Sequence, residues 1–214
     1  MLHDSRRRFE ASDVVPMFPT FVWKIQVEPG LRDTLREKIL AALAELRAGL
    51  PALAPGEAWQ SGTAMHRREE LRDLGECIHA GLTTILRFLR IGDEPCEITG
   101  CWINVLAHGS AHRLHSHPNN FLSGVYYVRT GPGADTLNFH DPRPQTGVIR
   151  PPVVELTAEN TDQVVMKVRE GTLLMFPSYL PHSVDVNTGD EERVSVSFNV
   201  MFSAFTERLS PPLW

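Results

Sequence analysis

The 214 residues are 42% hydrophobic and 22% charged with a formal net charge of -5, an ordinary soluble-domain mixture long enough for one substantial core. The acidic balance argues against a nucleic-acid binder, and the lone basic run, Arg6-Arg7-Arg8, reads as a solvated tail. No apolar stretch reaches the roughly 18 residues of a membrane span, and charges interrupt the first 20 residues where a secretory leader would be apolar. Three cysteines without C-x-x-C spacing, Cys77, Cys96 and Cys101, read as buried reduced thiols, so the expected compartment is the cytoplasm.

Taken in chain order, residues 17–95 read as an entering strand with supporting helices. Phe18 to Val27 is the strand, closed by Pro29-Gly30. Apolar residues at Leu31, Leu35, Ile39, Leu40, Leu43 and Leu46 have helical spacing, and the Pro51–Pro55 stretch ends that helix. A second amphipathic helix is predicted from about Glu69 to Arg90, with Leu71, Leu74, Ile78, Leu82, Ile85, Leu86 and Leu89 on one face. The apolar first helix suits a homodimer face as well as a core.

After Gly92 short β-rich runs follow one another: 96–106, 121–129, 136–140, 164–168, 172–176, 183–186 and 193–202, separated by turn signals such as Gly131-Pro132-Gly133. Many short strands without intervening helices predict a jelly roll over residues 96–204, a mainly β fold of α+β type with the N-terminal helices packed outside one sheet. All of this reads as a single domain spanning residues 1–214. The irregular stretch Pro142–Asp162 is expected to be a lid over the barrel mouth or a disordered loop.

Five of the nine histidines fall between His108 and His140. His115 and His117 stand two apart on a run read as extended, so both imidazoles face one side and can reach one ion. A third ligand must come from elsewhere, and His182, delivered by an apolar strand and a Pro-bounded turn, is the best candidate. Farther on, Arg193, Ser195, Ser197 and Asn199 alternate with Val194, Val196 and Phe198. The polar face lies either in water or inside the barrel. Inside, Arg193 would offer a planar fork to a carboxylate and Ser195 a hydroxyl donor.

These segments together carry a resemblance: Trp102-Ile103-Asn104-Val105, His115-Ser116-His117-Pro118, Leu122 to Val128, Asn138 to Arg143, Phe176-Pro177-Ser178, Pro181 to Val184 and Arg193 to Asn199. As a set they resemble the Fe(II)/2-oxoglutarate-dependent oxygenase superfamily, in a small bacterial branch, over most of residues 100–202. The resemblance implies a double-stranded β-helix, the cupin-like jelly roll. It implies Fe(II) on His115 and His182, and 2-oxoglutarate held through its distal carboxylate by Arg193 with Ser195. O₂ and a small-molecule or peptide substrate would complete the reaction, with hydroxylation as the default outcome.

One departure matters. The superfamily usually has a carboxylate where this chain has His117. His117 ligates directly, or Asp141 folds in as the carboxylate, or water or an anion takes the position. Tyr127 (or Tyr126, on the opposite face) and Asn104 are further candidates for the 2-oxoglutarate pocket, and Arg143 and Asp141 for substrate contact or a rim ion pair. Two alternatives stay open beside this expectation: a three-His cupin dioxygenase without 2-oxoglutarate, and a non-catalytic metal-binding jelly roll. A zinc hydrolase is disfavoured, since no Glu general base accompanies the His pair.

Overall fold

A computed structural model describes residues 10–143, 148 and 151–206, and the basic run at residues 6–8 lies outside the described residues. The first strand, β1, spans Trp23–Gln26, shorter than the sequence predicts. Phe18 has a left-handed φ of 54° and Pro19 lacks an N–H, so the chain cannot enter a ladder there. Helix α1 runs over Pro29–Leu46; Glu28 caps it, its carboxylate accepting from the N–H groups of Gly30 and Leu31, with Pro at the first helical position. A short strand β2, Ala58–Gln60, follows. Two 3₁₀ turns then lead into α2, Arg72–Phe88.

The β-rich half supplies β3 (Cys96–Leu106), β4 (His112–His115), β5 (Leu122–Arg129), β6 (Thr136–His140), β7 (Gln163–Lys167), β8 (Thr172–Pro177), β9 (His182–Val184) and β10 (Arg193–Phe202). A short helix, α3 (Ser203–Thr206), closes the described chain. The six-stranded sheet has the order β1-β8-β5-β10-β3-β2 and the four-stranded sheet the order β4-β9-β6-β7. The two face each other as the expected jelly roll. β2 and β4 escape the sequence reading: both are short, and β4 carries an irregularity between His112 and His115.

Two apolar layers hold this together. On the outer face of the six-stranded sheet, Leu35, Ile39, Ala42 and Leu43 of α1 and Leu74, Ile78, Leu82 and Ile85 of α2 meet Tyr126, Val128, Val194, Val196 and Phe198. The apolar face of α1 is thus spent on the chain's own core. Burial of each such side chain stabilises by about 1.5–3 kcal/mol before conformational entropy is subtracted. Gly81 lets α2 lie close: a Cβ there would come within 2.8 Å of Met175 Sδ. Between the sheets lies a smaller layer of Val125, Tyr127, Leu137, Phe139, Leu174, Phe176 and Val184, of which Val125, Leu137, Phe176 and Val184 also line a cavity.

The cysteines differ from expectation in part. Cys101 is buried, whereas Cys77 and Cys96 are half-buried; all three are free thiols. Of the stretch Pro142–Asp162, residues 144–147, 149 and 150 lie outside the described residues, and the described remainder forms only turns and irregular backbone. No described helix is long and apolar enough to cross a membrane.

Candidate metal and carboxylate site

The barrel holds a cavity of about 420 Å³ between the two sheets. β4 and β9 bring the first two candidate ligands together as cross-strand partners: His115 pairs with His182, and their ring centroids are 4.3 Å apart. His117 is not on the strand, a correction to the reading of His115 and His117 as one extended run. β4 ends at His115, and the His117 N–H donates to the Ser178 carbonyl at 2.9 Å, so the corner after β8 positions it. The three imidazoles each offer a nitrogen, and those atoms lie within 4.8 Å of one another. Among the described residues no other such cluster of His, Cys, Asp or Glu occurs.

The rings are oriented as ligands. His115 Nδ1 is 2.7 Å from the Arg113 carbonyl and His182 Nδ1 is 3.0 Å from the Leu180 carbonyl. Each Nδ1 therefore holds the proton and leaves Nε2 for an ion, the second-sphere arrangement that settles the tautomer of metal-bound histidines. Phe176 packs on the His182 ring at 4.8 Å, and Trp102 lies 5.9 Å from the ring of His117. Burial, with the neighbouring imidazoles, drives both His117 and His182 down to about 4, so both are neutral donors at neutral pH. His115 is exposed and His117 half-buried, so small ring rotations can close the cluster to the separations that metal–imidazole bonds of about 2.1 Å require.

On the six-stranded sheet β10 shows the predicted alternation, with its polar face turned into the barrel. Arg193 is 3% exposed and Ser195 7%. The Arg193 guanidinium donates from Nη1 to the Thr136 carbonyl at 3.0 Å and lies 5.1 Å from the Tyr127 ring centroid. Its Nε is buried with no hydrogen-bond partner, and no carboxylate of the described residues pairs with it. Burying a charge with no acidic partner costs several kcal/mol. Tyr127 faces the interior opposite Ser195 with its buried hydroxyl beside the Arg193 guanidinium, while Tyr126 packs in the helix-side core. Asn104, the other neighbour of Ser195, donates to Ser197 Oγ at 2.9 Å.

Asp141 and Arg143 are placed elsewhere. Neither lines the cavity; Arg143 forks onto Asp141, with Nε–Oδ1 at 2.9 Å and Nη2–Oδ2 at 2.6 Å, and holds the carboxyl below its usual range. The sequence reading missed several wall residues. Gln60 comes from the unpredicted β2, and Trp102 shares a face with Asn104 by the two-residue period of β3. His112 and Arg113 come from β4. Burial, with His115 and Arg193 nearby, lowers His112 to about 4.

Residues 100–199 match the sequence-family model described as "Putative 2OG-Fe(II) oxygenase". No curated protein sequence matches the chain. Among solved structures, the non-haem α-ketoglutarate-dependent carbocyclase SnoK of nogalamycin biosynthesis superposes with a TM-score of 0.61 at 17% identity, covering 91% of this chain and 89% of its own. A Pseudomonas putida prolyl-4-hydroxylase gives 0.57 at 18% identity over 86% and 93%. A Trichoplax adhaerens prolyl hydroxylase, solved with a peptide fragment of hypoxia-inducible factor, gives 0.60 at 13% identity over 89% and 87%. At these identities the superpositions speak for the shared fold.

Proposed function

We propose that the chain is a 2OG-Fe(II) oxygenase, the family whose model residues 100–199 match, that His115, His117 and His182 hold its Fe(II), and that Arg193, helped by Ser195, binds the distal carboxylate of 2-oxoglutarate. The observation that carries the assignment is the buried, acid-free guanidinium of Arg193 on the same cavity as the three imidazoles. The bound iron would supply the O₂ chemistry, with 2-oxoglutarate as the two-electron co-reductant. We propose hydroxylation as the outcome: a substrate C–H, 2-oxoglutarate and O₂ become a substrate C–OH, succinate and CO₂, one oxygen atom entering each organic product.

The chain's own part is positional and electrostatic. The Leu180 and Arg113 carbonyls keep the proton on Nδ1 of His182 and His115. The Phe139–Phe176 pair, its rings 4.9 Å apart, backs His182 and keeps water from its far side. Three neutral ligands leave the centre one charge more positive than two histidines and a carboxylate would, which strengthens its hold on a dianionic co-substrate. A three-His dioxygenase that needs no 2-oxoglutarate would have no use for the Arg193 fork. The substrate is a small molecule or a peptide side chain. A peptide-bound prolyl hydroxylase and a carbocyclase of nogalamycin biosynthesis share the fold, so the fold accommodates both classes.

The test is O₂ consumption and succinate release by the Fe(II)-loaded protein with 2-oxoglutarate present and absent. Slow uncoupled turnover that needs both metal and co-substrate is expected. Oxygen uptake that is indifferent to 2-oxoglutarate would refute the assignment.

A further inference from the structure

Among the described residues, no aspartate or glutamate lines the cavity. The charged residues that line it are Arg193, 3% exposed, and Arg113, which is exposed. With a divalent ion on three neutral imidazoles, the metal and Arg193 together carry three positive charges, and a bound 2-oxoglutarate returns two negative ones. One positive charge is then left over in a partly enclosed cavity, and Arg113 adds another at its rim. An aspartate in place of His117 would have removed the first excess. Charges held at low dielectric interact by several kcal/mol at contact distance, so this imbalance selects what enters next.

Arg113 is placed to do the selecting. Its carbonyl accepts the His115 Nδ1 proton at 2.7 Å, which ties its backbone to a proposed metal ligand. Arg113 is among the residues that line the cavity, and its side chain makes no hydrogen bond or ion pair with any described residue. Arg193 already serves as the deep anchor, so the mouth guanidinium is left for the substrate. We propose that the substrate is a small organic acid whose carboxylate is read by Arg113 at the cavity mouth. This rests on the oxygenase reading above and narrows its substrate to an anion.

The experiment is calorimetric titration of protein loaded with Zn(II) in place of iron and saturated with 2-oxoglutarate, which binds but does not turn over. The probes are aliphatic acids and N-acetyl amino acids, each paired with its primary amide. At least one acid should bind saturably, about tenfold or more tighter than its amide, as a charge-assisted hydrogen bond is worth. Arg113→Gln should remove that preference while amide binding and 2-oxoglutarate affinity stay within about twofold, and Arg113→Lys should restore part of it. Acids that bind no better than amides, a panel in which no acid binds, or an Arg113→Gln protein with its preference intact would each overturn the proposal. Failure of 2-oxoglutarate itself to bind the Zn(II) protein, read first, would instead strike the oxygenase reading.

Discussion

Replacing Arg193 by Met keeps most of the side-chain volume and removes the guanidinium, and the structure sets two opposite consequences. In the ligand-free protein the variant loses the 3.0 Å hydrogen bond to the Thr136 carbonyl, worth about 1.5–3 kcal/mol, but also sheds a buried charge with no acidic partner, whose desolvation costs several kcal/mol. Its melting temperature should therefore equal or exceed that of the parent. In the complex, the buried fork would supply two charge-assisted hydrogen bonds to the distal carboxylate, together worth about 3–5 kcal/mol. The Kd for 2-oxoglutarate should rise roughly 100- to 3,000-fold, at about 1.4 kcal/mol per tenfold. Anaerobic titration of the Fe(II) protein, read by the visible charge-transfer absorption of the metal–oxo-acid chelate, measures the affinity, and calorimetric melting measures the stability. An affinity within threefold of the parent would refute the anchor, and a large loss of ligand-free stability would make the guanidinium structural.

Further predictions follow from the metal cluster and the packing. His182→Ala should lower metal affinity by more than about 100-fold, since it removes the most buried ligand and exceeds the loss expected from a second-sphere change; unchanged metal content at equal free metal would contradict it. His117→Asp should keep one ion per chain, whereas His117→Ala should weaken metal binding about tenfold or more, and equal affinities in the two would take residue 117 out of the ligand set. Folded His112, His117 and His182 are pulled down to about 4 from an unfolded value near 6.5, so the unfolded chain binds more protons between those limits. Stability of the metal-free protein and its metal affinity should thus be full above about pH 6.5 and fall as the pH drops toward 4, checked by urea midpoints at pH 7.5 and 5; a higher midpoint at pH 5 would reverse the sign. Gly124→Ala should cost about 2–3 kcal/mol, because its Cβ would lie 2.2 Å from the Phe198 ring and 2.6 Å from the Leu174 carbonyl, and a melt lowered by less than about 2 °C would contradict that packing.

Much of this protein was determined by sequence alone, because local periodicity survives translation into structure. The spacing of Leu35, Ile39 and Leu43 and of Leu74, Ile78, Leu82 and Ile85 marks the buried faces of both long helices. The alternation in β10 separates Arg193 and Ser195 from Val194 and Val196, and β3 and β6 have the predicted bounds. The order of the three histidines pointed to one ion, and with Arg193 and Ser195 it carried the resemblance that implied a dicarboxylate.

What tertiary structure decided is which polar face meets water and which lines the cavity. Arg193 and Ser195 are interior only because β4, β9, β6 and β7 form a second sheet across from them, a long-range fact with no local trace. The pairing of His115 with His182 depends on β4 and β9 lying side by side although 67 positions separate the two residues. His112 and Arg113 were missed because β4 is four residues long with a shifted register, too short for a period to show, and Gln60 because its three-residue strand exists only as an edge on β3. Short edge strands take their conformation from the neighbour they pair with, so their residues join the cavity through long-range hydrogen bonds rather than through their own propensity.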